Sequence, residues 1–308
     1  PHHRSSAASD VYKRQETNLP HNENVSYFGS RDEAHLVYQF SLAPLILYSY
    51  LFNDGQYLGQ WAEQLEPPPA GCSFVNFIAS HDGIGLRPLE GLVPASDIQR
   101  LTDAAHERGG FAAMRSADDG TETVYELNIA LFSAFGGTAK NIPAYLGAHQ
   151  LMLAFQGIPA LYLNAFVGGL NDLQGVESTG RTRSINRGHW QLDDLKTILA
   201  TETNEQSIIF AELNRSLEIR GSQSAFAPSA QQEILAYTED SLWLKRENTD
   251  QVILVIASFS EAPIETELPR QDAAYESAID LLSEDAVVLT KAVPMAPYQV
   301  RWLSIAKT

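Results

Sequence analysis

Three polar clusters stand beside apolar runs in this 308-residue chain, and each holds groups able to do acid–base or ionic chemistry. Glu16-Thr-Asn-Leu-Pro-His21 contributes a carboxylate. Ser80-His-Asp-Gly-Ile-Gly85 contributes a histidine–aspartate pair directly after the apolar residues 73–79. Thr182-Arg-Ser-Ile-Asn-Arg187 contributes two arginines downstream of the apolar residues 160–164. Enzymes built on parallel strands gather catalytic side chains at the strands' C-terminal ends, and these clusters have that placement. Taken one at a time, none is specific. Glu16 also reads as an exposed carboxylate. His81-Asp82-Gly83 also reads as a turn in which Asp82 bonds its own backbone. Arg183 and Arg187 also read as solvated loop charges.

The elements that must position these groups alternate. Residues 34–40 read as a strand running into a helix that ends near Phe52, and residues 73–79 as a second, buried strand. A helix follows, with Ser96 as its N-cap, Ile98, Leu101, Ala104 and Ala105 as its apolar face, and Gly109 as its stop. A further helix spans residues 143–155 with Pro143 in its first turn, leading to a third strand over residues 160–164. Two more helices cover residues 192–201 and 205–220. Strand–helix alternation predicts a parallel α/β unit with right-handed crossovers. After a small, polar linker over residues 221–229, only strands are expected: residues 233–237, 242–246, 252–259 and 298–304. These predict an antiparallel β-domain. The chain thus divides into a tag-like segment over 1–15, set aside from the fold, an α/β unit over 16–229 and a β-domain over 230–308.

Composition narrows the partners. The formal charge is −17, which excludes nucleic acid and acidic membrane surfaces, since both need concentrated Lys and Arg. Cys72 is the single cysteine, so no internal disulfide forms and a cytoplasmic setting is expected. No apolar run is long enough to span a membrane, and no signal peptide is visible.

Taken together, Glu16-Thr-Asn18, Phe77-Ile-Ala-Ser-His-Asp-Gly-Ile-Gly85, Val124-Tyr-Glu-Leu-Asn128, Gln156-Gly-Ile-Pro-Ala-Leu-Tyr162, Asn171-Asp172 and Arg183-Ser-Ile-Asn-Arg187 resemble, in order, the sucrose phosphorylase type of the α-amylase superfamily. The resemblance implies the second half of a (β/α)8 barrel, strands five to eight, followed by a small β-domain. It implies a retaining α-glucosyl phosphorylase that moves glucose from a small glucoside, sucrose or a glucosylglycerate-like compound, to inorganic phosphate. Glu16 matches the general acid/base, Asp82 the carboxylate that stabilises the oxocarbenium-like transition state, and His81 a histidine that bonds the glucose ring. Arg183 matches an arginine of the acceptor region, suited to phosphate. Tyr125 and Glu126 match a mobile loop contacting the acceptor, with Asn18 and Arg187 completing the substrate-binding set.

Two departures bear on the substrate. Glu126 replaces a glutamine and would repel an anion unless paired with Arg183; Asn18 replaces a histidine. Both point away from sucrose. No motif from Glu16 onward stands in for the family's aspartate nucleophile. No organic cofactor is expected, and no calcium-ligand cluster is visible. A glucosidase or transglucosylase of the same superfamily, and a non-catalytic carbohydrate-binding relative, are the competing readings.

Overall fold

The computed structural model describes residues 14–16, 19–29, 33–116, 122–269 and 275–305. The site rests on a four-stranded sheet of β1 (Arg14–Gln15), β2 (Leu36–Tyr38), β3 (Ser73–Asn76) and β7 (Ile158–Pro159), in that spatial order. Every neighbouring pair is parallel. Between the strands lie α1 (His21–Val25), α2 (Leu42–Phe52), α3 (Gln56–Glu63), α4 (Ala95–Glu107), α5 (Leu131–Ala134) and α6 (Ile142–Ala154). After β7 come α7 (Leu163–Phe166), α8 (Leu173–Thr179), α9 (Leu192–Leu199) and α10 (Glu205–Gly221).

Four expectations need correction. Arg14 and Gln15, set aside with the first 15 residues, form β1 and pair with Leu36 and Val37; two residues are too few to show a side-chain period. The third apolar strand is Ile158–Pro159; Ala160 N–H makes one more bond across to β3, to Asn76 O at 2.8 Å, and the chain then leaves for α7. Ser96 lies inside the first turn of α4. Pro94 is the cap residue, its φ held at −56° by its ring, and Asp97 places negative charge at that helix end. The supposed linker is packed: Ala225 and Phe226 are buried, and Phe226 stands edge-on to Trp302 at 5.0 Å.

A three-stranded antiparallel sheet, unexpected from the sequence, inserts between β3 and α5. It runs β4 (Ile84–Gly85), β6 (Glu122–Asn128), β5 (Phe111–Ser116). The C-terminal region is the expected β-structure. Strands β8 (Gln231–Tyr237), β9 (Ser241–Glu247), β10 (Val252–Ser258), β12 (Ser277–Asp280), β13 (Ala286–Val288) and β15 (Val300–Ile305) form a six-stranded sheet. Strands β11 (Ile264–Thr266) and β14 (Val293–Met295) pair beside it.

One apolar core joins the two parts. Leu45 and Tyr50 of α2, Tyr145 and Leu151 of α6, and Ile253, Val255 and Trp302 of the β-sheet belong to the same buried cluster. The approach is close enough that a Cβ on Gly147 would meet Tyr298 O at 2.4 Å. Buried Arg246 seals the joint, with Nη1 donating to Ala154 O at 2.7 Å and Nη2 to Ala227 O at 2.9 Å. Burial, together with the nearby Arg220 charge, lowers Arg246 to about 9, so it stays cationic at neutral pH. No helix among the described residues is long and apolar enough to cross a membrane.

His149 sits wholly inside this core on α6, its Nδ1 2.9 Å from Tyr145 O. Burial lowers its pKa from 6.5 to about 4. The unfolded chain therefore binds a proton between those values that the folded chain does not. Stability should be unaffected by this group above pH 6.5 and fall as pH drops towards 4, by up to about 3 kcal/mol. Comparing denaturant unfolding of wild type and His149→Gln at neutral and acidic pH isolates the effect, and the variant should lose that share of the slope.

Candidate active site

Because β1 and β3 run parallel, the segments leaving their C-terminal ends emerge at one edge of the sheet. Glu16 follows β1 immediately and is exposed; the segment carrying Asp82 follows β3. With β2 between them, the two strands are roughly 10 Å apart. Asn18 lies outside the described residues.

The turn after β3 shapes itself around Asp82. Its N–H donates to Ser80 Oγ at 3.1 Å, so the serine hydroxyl closes the turn and not, as expected, the Asp82 side chain. Gly83 is required by the approach of β6: a Cβ there would lie 2.4 Å from Leu127 O and 2.5 Å from Glu126 Cγ. His81 is exposed, with Nε2 3.7 Å from Asp82 Oδ2.

A short 3₁₀ turn, Thr182–Asn186, brings the arginines over from the far side of β7. Arg183 Nε donates to Glu126 Oε1 at 2.9 Å and Nη2 to Glu126 Oε2 at 2.7 Å, a two-pronged contact. Its Nη1 donates to Asp82 Oδ1 at 2.8 Å. Arg187 Nη2 reaches the same Oδ1 at 3.0 Å, while its Nε donates to His81 O at 2.7 Å. Asn186 Nδ2 donates to Asp82 O at 2.6 Å. The aspartate is thus held by carboxylate and backbone alike from one five-residue segment. Hydrogen bonding to Glu126, more than the charges of Glu126 and Asp82, raises Arg183 above the ordinary arginine range, so it is a permanent cation.

Glu126 and Tyr125 do not lie on a loop. Both belong to β6, where Glu126 is 3% exposed and Tyr125 half-buried. The condition set by the sequence, that Glu126 be paired with Arg183, is met. Asp82, His81, Glu126, Arg183 and Arg187 therefore form one connected cluster, and Glu16 stands apart from it at the same sheet edge.

Asn186, Asn164 and Tyr162 were not singled out as site residues. Together with Ser80 and Asp82 they line a narrow crevice. Tyr162 Oη donates to Asn186 O at 3.0 Å, and Asn164 Nδ2 donates to Gly188 O at 2.9 Å. The only signal for Tyr162 and Asn186 was their presence inside the quoted motifs, and Asn164 merely ended the segment read as the third strand.

No protein-family model matches the chain. It is 33% identical over 293 residues to a glucosylglycerate phosphorylase of Escherichia coli (strain K12), covering 94% of this chain and 52% of that protein. It is 34% identical over 305 residues to a glucosylglycerate phosphorylase of Spirochaeta thermophila, with the same coverages. A sucrose phosphorylase of Agrobacterium vitis is 29% identical over 236 residues, 73% of this chain and 45% of that protein. Among solved structures, sucrose 6F-phosphate phosphorylase from Thermoanaerobacter thermosaccharolyticum superposes with a TM-score of 0.67 at 21% identity. That match covers 81% of this chain and 48% of the other, and it carries the fold alone. The chain spans about half the length of the curated relatives it matches.

Proposed function

The chain is a relative of the glucosylglycerate and sucrose phosphorylases of the α-amylase superfamily, and from that premise we propose that it supplies half of the active site of a retaining α-glucosyl phosphorylase. The observation that carries the reading is Asp82 gripped by Arg183 and Arg187 at the sheet edge that Glu16 shares. Four sequential parallel strands with intervening helices support strands five to eight of a (β/α)8 barrel, with residues 230–308 as the β-domain packed against it.

In this reading Glu16 protonates the glycosidic oxygen while an aspartate attacks the anomeric carbon and the C–O bond breaks. That aspartate, in this reading, is not among residues 16–308. Asp82 faces the positive charge that develops on the sugar and accepts from its hydroxyls, and His81 contacts the same ring. Inorganic phosphate then displaces the aspartate, releasing α-glucose 1-phosphate, and Glu16 reclaims its proton in the reverse sense. The arginines hold the Asp82 carboxylate in place.

Glu126 bears on the acceptor. Its carboxylate is neutralised by Arg183, so it neither repels a phosphate nor leaves Arg183 free for one. Arg187, with one contact to a carboxylate, retains donors for an anion. The higher identity to glucosylglycerate phosphorylases than to sucrose phosphorylases supports a glycerate glucoside as substrate. With the whole protein and inorganic phosphate, α-glucosylglycerate should be cleaved at least tenfold faster than sucrose at equal concentration, a difference of about 1.4 kcal/mol or more in transition-state binding. Preference for sucrose would overturn the acceptor assignment. Release of free glucose at a rate independent of phosphate would favour a hydrolase.

A further inference from the structure

Four tryptophans occur in the chain, and Trp190 alone is not buried. Trp61, Trp243 and Trp302 are 4%, 1% and 0% exposed, whereas Trp190 is half-buried. The indole N–H of Trp190 is taken up by Asn164 Oδ1 at 2.8 Å. Asn164 is itself fixed, since its Nδ2 donates to Gly188 O at 2.9 Å and lies within 3.3 Å of Asn186 O. The polar edge of the ring is therefore turned inward and anchored, and an apolar ring face is what remains to meet solvent or ligand.

The anchor is continuous with the site. Asn186, whose carbonyl accepts from Tyr162 and Asn164, donates its own amide to Asp82 O. Arg187, three residues before Trp190, grips the Asp82 carboxylate. The indole is thus mounted on the segment that holds Asp82 and is tied through Asn164 to the narrow crevice that Asn164 lines with Ser80, Asp82, Tyr162 and Asn186. A pyranose is amphipathic in the matching sense, with hydroxyls around its rim and a patch of C–H bonds on its face. An aromatic face carries negative charge density that attracts such C–H groups, while carboxylates and guanidinium groups take the rim.

We propose that Trp190 is the stacking platform for the sugar that binds against Asp82, a specificity-determining residue held in place by Asn164. The proposal rests on the α-glucoside reading of the site, and its test separates the two. Methyl α-D-glucopyranoside is titrated into the whole protein, with binding read by calorimetry and by the difference in acrylamide quenching between wild type and Trp190→Phe, which reports Trp190. In wild type, saturation should protect Trp190 from quenching. Trp190→Ala should weaken binding on the order of tenfold, Trp190→Phe should recover most of that loss, and Asn164→Leu should weaken binding while raising quenching. Wild-type binding without protection of the indole would overturn the platform. So would Trp190→Ala binding as tightly as wild type while Asp82→Asn binds poorly, an outcome that leaves the site assignment standing. Absence of binding by the wild-type protein would remove the functional reading and the platform with it.

Discussion

Glu16→Gln in the whole protein is expected to lower turnover of an unactivated α-glucoside by on the order of 10²–10⁴-fold, the contribution of a positioned proton donor. The loss should be far smaller for α-glucosyl fluoride, whose leaving group departs without a proton. This difference identifies the role, because general damage to the site would slow both substrates alike. The placement of Glu16 makes the test meaningful: it leaves β1 at the edge where the Asp82 cluster gathers, and it is exposed. Equal losses on both substrates would rule Glu16 out as the acid.

Asp82→Asn should behave in the opposite way, slowing both substrates by on the order of 10²–10³-fold, because the role proposed for Asp82 is on the sugar's charge and not on the leaving group. Here the geometry adds a second consequence. Asp82 Oδ1 is the carboxylate contact of Arg187, and it shares Arg183 with Glu126. An asparagine amide would satisfy neither cation's charge. Arg183 should stay on Glu126, whereas Arg187 should be released and offer its charge to an anion. The variant should therefore combine a large fall in kcat with unchanged or lower KM for phosphate. A fall confined to the unactivated glucoside would contradict the assignment.

How far the fold could be read from the sequence follows from what side chains reveal. Residues 73–79 are rich in aromatic and β-branched side chains and 73–76 are buried throughout, so β3 was plain, and the amphipathic face of α4 and the Pro143 start of α6 were equally clear. Strand β1 was hidden because two residues show no period, and β7 because a proline-bearing pair looks like a turn. The β5–β6 hairpin was missed for a different reason. Phe111–Ser116 has a ragged half-buried pattern, and β6 is exposed at one end and buried at the other, so neither alternates cleanly.

That miss changed the site. Read as loop residues, Tyr125 and Glu126 were expected to move over the acceptor. On β6, Glu126 is a buried anion fixed against Arg183. The pairing of Arg183 with Asp82, 101 residues away, cannot be seen in local pattern and was not expected; the resemblance gave Arg183 only to the acceptor region. Asn164 and Asn186 escaped notice because an amide that bonds backbone carbonyls leaves no mark on periodicity or charge. The packing of Phe226 beneath Trp302 was masked by the small polar residues around it.

Transfer of glucose to phosphate with retention is the reaction proposed for the whole protein. The direct measurement is product analysis of the whole protein acting on α-glucosylglycerate with and without inorganic phosphate, with the anomer of the phosphorylated sugar read by NMR before it can equilibrate. The account predicts α-glucose 1-phosphate and free glycerate in equal amounts, at a rate that rises with phosphate. β-Glucose 1-phosphate, or glucose as the product whatever the phosphate concentration, would contradict it.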